Sequence, residues 1–370
     1  MKPTRTHLIL TAAAGLALAA QQSAAGTPCH SSATLMSRSC KWEAGEEFNA
    51  TMANCSAIES QAERRACKVQ ARSARSEALE TCSGQQEARN EVCADLGEVR
   101  YRDPLTDSGI AFIDPDEIGD TWPNNPYVIL QAGHTHVLRS EDEIVVVYAT
   151  DEVRDIQGVS CRVVADVVVE EEFDEEEMKW EYTAVEVTDD WFAQDSTNNV
   201  YYCGEVARNY EDGVLRDLDG SFEAGREWAS GGLLTLASPV PGQAHRQEYA
   251  LGEAEDIVAY LATDAVPSAD EGGENPGFPC EAAGGCLKTF DSSPLEPEST
   301  EYKYYLAGTG FVLAVSLEDG EIVEGGREEL ICRGDSLDIL HNADCAIEDP
   351  DELLDELCDL HDEFCNDDDD

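Results

Sequence analysis

Six cysteines in the first third of the chain are spaced as a palindrome. Cys29, Cys40, Cys55, Cys67, Cys82 and Cys93 are separated by 11, 15, 12, 15 and 11 residues. A helix turns about 100° per residue, so a step of 11 returns within about 20° of the same face and a step of 15 within about 60°. The middle step of 12 lands about 120° away, which breaks the stripe at that point. Ser60-Gln61-Ala62-Glu63 has the form of a capping box that restarts a helix after a tight turn. The segment is rich in Ala, Glu, Arg and Gln and lacks proline from 29 to 102. Folding it back near residue 61 sets Cys55 against Cys67, Cys40 against Cys82 and Cys29 against Cys93. The expected unit is an antiparallel helical hairpin over 27–102 with nested disulfide rungs. Ala53, Ala57, Ala66, Ala71, Ala74 and Ala78 leave room for the close approach that a disulfide requires. Gly45 and Ser83-Gly84 keep one alternative open, a three-helix arrangement with other pairings.

Fourteen cysteines in all, an even number, point to an oxidising compartment. Lys2 and Arg5 precede an apolar run from Leu8 to Ala20, and Ala17-Leu18-Ala19 and Ser23-Ala24-Ala25 offer small residues for cleavage. Residues 1–26 therefore read as a signal peptide, and the expected location is secreted or periplasmic. No later stretch approaches the roughly 18 apolar residues of a membrane span. Twenty-four Lys+Arg against 78 Asp+Glu give a net charge of −54, which excludes bulk attraction to nucleic acid or anionic membranes. The charge is uneven: residues 27–102 carry 10 basic and 11 acidic side chains, residues 103–370 carry 12 and 67.

Beyond residue 102 the pattern changes to short β-rich runs: 144–149, 161–169, 182–187, 199–203, 303–306 and 311–315. The links between them are short and acidic, so antiparallel pairing is expected, as a meander or half-barrel over 103–331. Glu170–Glu177 reads as a solvated hairpin tip, and Gly252–Ala262 as the best internal helix. Residues 264–286 read as a long loop pinned by Cys280 and Cys286. In 332–370, Asp349-Pro350 opens a helix with a stripe of Leu353, Leu354, Leu357, Leu360 and Phe364. Cys358 and Cys365 share that face and are expected to reach Cys332 and Cys345 rather than each other. Asp367–Asp370 is a solvated tail. The fold class is α+β.

The paired CX10C arrangement resembles small coiled-coil-helix proteins with twin CX9C motifs, one residue longer here. A second resemblance covers residues 88–315. Asp190-Trp-Phe-Ala-Gln-Asp195 with Asn199-Val-Tyr-Tyr-Cys-Gly-Glu205 resembles a motif of uncharacterised secreted bacterial proteins. Arg246-Gln-Glu-Tyr249, Pro294-Leu-Glu-Pro297 and Cys93-Ala-Asp-Leu-Gly-Glu-Val-Arg-Tyr101 follow the same pattern. That resemblance implies export and domain order and carries no activity. The motif itself parses as strand, turn and strand, with Trp191, Ala193, Val200 and Tyr202 on one face, and Cys161 and Cys203 as disulfide halves.

Candidate chemistry is sparse. His134-Thr135-His136 sets two imidazoles on one strand face, without a third ligand at a fixed spacing, and reads as two exposed histidines. Glu253, Glu255 and Asp256 read as solvated acids unless burial raises one of them. Asp189, Asp190, Asp195 and Asn198, and Asp217, Asp219 and Glu223, are hard oxygen donors near turns and suit calcium, which makes calcium the candidate cofactor. No serine elbow, zinc-protease helix or phosphate loop is present. The expected function is an exported, non-enzymatic binding or envelope-associated protein for an unknown small-molecule or protein ligand. Its acidic surface is suited to salt. The rival is a calcium- or zinc-dependent enzyme or a hydrolase. A deep pocket holding a buried, perturbed acid beside a base would favour that rival.

Overall fold

The computed structural model describes residues 26–365, apart from 142, 176, 212 and 273–278. All but the last residue of the leader, and the Asp367–Asp370 tail, lie outside the described residues. Helices α1 (Pro28–Ala57) and α2 (Gln61–Asp95) form the expected hairpin. The Ser60 hydroxyl accepts from Glu63 N, the first half of a capping box. Gly45 and Gly84 both lie inside helices, so neither supplies the rival turn. The rungs are Cys29–Cys93, Cys40–Cys82 and Cys55–Cys67, with Cα separations of 5.9, 5.7 and 5.6 Å. No helix among the described residues is long and apolar enough to cross a membrane.

The rest of the chain builds one antiparallel sheet of 14 strands. Its first meander is β1 (Thr135–Ser140), β2 (Glu143–Ile156), β3 (Val159–Asp174), β4 (Lys179–Gln194), β5 (Val200–Glu211) and β6 (Val214–Asp217). Two short strands, β7 (Phe222–Glu223) and β8 (Gly232–Thr235), also pair with β5. The second meander is β9 (Ala244–Arg246), β10 (Ile257–Ala265), β11 (Cys286–Ser292), β12 (Ser299–Leu306), β13 (Gly310–Glu318) and β14 (Glu321–Gly334). The meanders join where β1 pairs with β14. At the other seam, Ser230 bridges to Tyr249 and Gln247 Nε2 donates to Leu234 O, so β8 ties β5 to the segment after β9. The sheet thereby curls into a barrel with an inner and an outer face.

Strand alternation sorts the side chains between those faces. Outward, Ala165, Val167 and Val169 of β3 meet Leu340, Leu353, Leu357 and Phe364 of the C-terminal segment. A second outer cluster holds Val163, Trp191, Tyr201 and the Cys161–Cys203 disulfide, whose Cα atoms lie 6.7 Å apart across β4. Helix α3 (Pro350–Leu360) begins at the predicted proline, and the Asp349 carboxylate caps it by accepting from Glu352 N.

Four expectations need correction. Cys332 pairs with Cys345 and Cys358 with Cys365, because α3 stops at Leu360 and the chain turns back, bringing the Cys358 and Cys365 Cα atoms to 4.6 Å. The expected helix 252–262 is instead a turn at Gly252, which has a positive φ of 93°, followed by β10. The run Ile257-Val-Ala-Tyr260 suits a strand, and pairing with β9 and β11 decides it. Much of 170–177 is strand, since β3 runs to Asp174 and Phe173 pairs with Trp180 across the hairpin. Finally, Trp191 and Ala193 pack outward with Tyr201 and Cys203, whereas Phe192, Val200 and Tyr202 face inward.

Candidate functional site

The inner face is where the acidity converges. Val164, Asp166 and Val168 of β3 alternate with the outward valines, so an acid in an otherwise apolar run enters the lumen. Glu186, Thr188, Asp190 and Phe192 of β4 and Glu301, Lys303 and Tyr305 of β12 enter from facing walls. A β-bulge between Trp191 and Phe192 lets Tyr202 and Glu205, three residues apart, share the inner face with Asp190. Gly204 sits in the bulge at a φ of 144°, and a Cβ there would meet Phe222 O at 2.4 Å, so only glycine fits. Segment 247–256 adds Glu248, Glu253 and Asp256.

Two cavities result, of about 510 and 520 Å³, sharing Leu138, Asp166, Phe192, Lys303, Tyr305 and Glu328. Together they are lined by ten carboxyl side chains and two cations, Lys303 and Arg327. Lys303 Nζ lies 3.2 Å from Glu301 and 3.8 Å from Asp291. Burial works against its charge, but Glu301 and Asp291 outweigh it and hold the ammonium well above its ordinary range. Lys303 also acts on Asp166, Asp256 and Glu328, but burial outweighs it at each of them. Burial, with Asp190 and Glu328 nearby, pushes Asp166 up. Glu205 is pushed up to about 8 by burial and by Glu186, Asp256 and Asp166, although the Tyr202 hydroxyl donates to it at 2.9 Å. The same hydroxyl reaches Asp190, itself raised by burial and Glu205. Glu248 is raised by burial and by Asp256 and Glu205, and burial brings Glu328 up to about 7. The lumen holds protons as well as carboxylates near neutral pH.

The helical hairpin seats on the outer side of the segment that supplies Glu248 and Asp256. Arg89 of α2 meets Glu255 through three contacts of 2.6–3.0 Å, with both side chains buried. Arg246 Nε donates to Glu98 at 2.9 Å, Tyr101 stacks on Tyr249 at 4.1 Å, and Gln85 donates to Leu295 O. Glu255 is therefore a buried structural acid, so the expectation of a solvated acid fails there, whereas Glu253 and Asp256 line the lumen with side chains still exposed to solvent.

The oxygen donors chosen for calcium are not brought together. Asp189 faces outward, where His361 and Arg208 outweigh burial and hold it low. Its neighbour Asp190 faces the lumen. Asp195 caps its own turn, accepting from Thr197 N, Asn199 N and the Tyr201 hydroxyl, and Asn198 accepts from Trp122 Nε1. Asp217 accepts from Asn209 and from Asp219 N within one turn, while Glu223 pairs with Arg154 and Arg226. Among the described residues the trio with ligand atoms close enough for a metal is Asp174, Glu177 and Glu181, at the β3–β4 hairpin end. His134 and His136 are not exposed: His134 is 4 % exposed beside Asp335, and His136 Nε2 meets Thr309 O at 2.8 Å. Burial and the adjacent His134 bring His136 down to about 4, so it faces the lumen uncharged.

Of the lumen acids the sequence singles out only Asp190, Glu253 and Asp256, and for other roles, because acids are abundant everywhere. The usable signal was local: Asp166 in a valine run and Lys303 among tyrosines, each a charge on a strand otherwise built for burial. Compared with family models, curated proteins and solved structures, the chain matches none.

Proposed function

We propose that this is an exported, non-enzymatic binding protein whose barrel lumen takes a small cationic ligand. The carrying observation is the imbalance inside the barrel, ten carboxyls against two cations, around cavities of ligand size. A bound cation replaces protons there and relieves repulsion among groups that water does not fully screen. The aromatic rings of Phe192, Tyr202 and Tyr305 add faces that attract cations. Export rests on the basic-apolar leader and on seven disulfides that leave no cysteine unpaired. The acidic exterior fits a salty medium.

Calorimetric titration with tetramethylammonium tests the site, because that ion keeps its charge at every pH. Glu205 and Glu328 are protonated below about 8 and about 7, so affinity rises between pH 6 and 9 and binding releases protons. Asp166→Asn and Glu248→Gln each weaken binding. Affinity that is flat with pH and indifferent to both variants removes the lumen from consideration, and tight binding of calcium alone would replace the organic cation with a metal.

One observation favours a second reading, acid–base hydrolysis: Asp190 and Glu205 share the Tyr202 hydroxyl in the acidic cavity, both with raised pKa. Turnover of nitrophenyl glycosides or esters that disappears in Glu205→Gln would establish it.

A further inference from the structure

The two halves of the lumen differ in chemistry. One is walled by Val147, Val164, Phe192 and Phe311, with Tyr127 also in its lining. The other holds most of the carboxyls, with the Asp166–Lys303 level as the boundary that both halves share. Glu248 stands in that acidic half only 8 % exposed. No side chain among the described residues donates to it; its partner is the backbone N–H of Asp256. A carboxyl so enclosed, without a cation of the protein's own, marks where an external positive charge is wanted. The apolar half, in contrast, offers rings and methyl groups that an inorganic ion or a small compact ammonium leaves uncovered.

We infer that the ligand is an amphipathic amine, an ammonium head joined to an apolar body, seated with its head toward Glu248 and its body along Phe311. This rests on the lumen being the cation site and adds the apolar body and the orientation. Lys303 sets the polarity from within: its ammonium, held by Glu301 and Asp291, neutralises the shared level and leaves the far acids for the ligand. An anionic amphiphile has a poorer berth, because the two cations that line the lumen, Lys303 and Arg327, are already paired with Glu301, Asp291 and Glu329.

Calorimetry of the intact oxidised protein with four probes separates the claims. Octyltrimethylammonium and tetramethylammonium share a head and differ in the tail; octanoate and octanol share the tail and differ in the head. The octyl cation is expected to bind at least about tenfold tighter than tetramethylammonium, with octanoate inert. Phe311→Ala lowers affinity for the octyl cation and spares tetramethylammonium, which also serves as the check on folding; Glu248→Gln weakens both. Equal affinity of the two cations overturns the amphipathic ligand while leaving the lumen as a cation site. Octanol binding as tightly as the octyl cation overturns the role of the head, and silence from both cations overturns this inference and the lumen site together.

Discussion

Arg89 and Glu255 form a buried ion pair between the two regions of the chain. Their side chains are 4 % and 0 % exposed, and Glu255 also accepts from Gly252 N, so neither charge has water to fall back on. Removing one partner of a buried pair costs about 3–5 kcal/mol, because the other charge stays buried. Arg89→Met is expected to lower stability by about that amount, and Arg89→Met with Glu255→Met to recover most of it. Urea melts of the three proteins decide the matter; a single variant as stable as the parent would show the pair to be dispensable. At this scale the sequence was only partly legible. Asp189 and Asp190 are adjacent acids with opposite fates, one bound to Arg208 and His361 outside, the other inside against Tyr202. Which of two adjacent strand residues faces inward depends on register, and the bulge at Gly204 that sets it involves a contact with Phe222, eighteen residues on.

Elements were read more successfully where the pattern was local and periodic. Helix periodicity and cysteine spacing together pointed to a hairpin folded back between Cys55 and Cys67, and the three rungs with Gly45 and Gly84 inside helices decide it over a three-helix arrangement. Local pattern misled at 252–262, which reads as the best internal helix but where β9 and β11 claim the backbone hydrogen bonds of β10. It misled again at Cys358 and Cys365, where a helix extended by one turn too many put both sulfurs on one face. The hairpin's rungs carry a prediction of their own. The Cys40–Cys82 rung closes a loop across 42 residues, which in the chain-entropy account is worth about 4 kcal/mol. Replacing both with serine should lower the hairpin's melting transition well before the barrel's. Amide exchange would show it as lost protection in α1 and α2 with β2–β4 unchanged, whereas equal loss throughout would mean that hairpin and barrel unfold as one.

For the whole molecule, charge is the governing quantity. Residues 103–370 carry 67 acids against 12 bases, and six lysines in the entire chain leave few flexible cations to soften that field. Repulsion among exposed carboxylates acts over about 10 Å at 0.1 M salt and only about 3 Å at 1 M. The folded barrel brings these charges closer than the unfolded chain does, so screening favours folding, and the urea midpoint should rise steadily from 0.05 to 2 M NaCl. The lumen responds differently. Apart from Glu253 and Asp256, its acids lie behind the strands, with Glu205 raised to about 8 largely by burial, so bulk ions reach them less readily and protons occupy them instead. A group whose pKa is raised on folding stabilises the native state fully below its unfolded value and loses that contribution as pH climbs through the folded one. Stability in low salt should therefore fall between about pH 4.5 and 8 through Glu205 and Glu328, a fall that added NaCl reduces only in part. A melt series on a grid of pH and salt separates the two populations. If salt alone removes the whole pH dependence, the acids being titrated are exterior ones, and the buried lumen charge on which cation binding rests is not there.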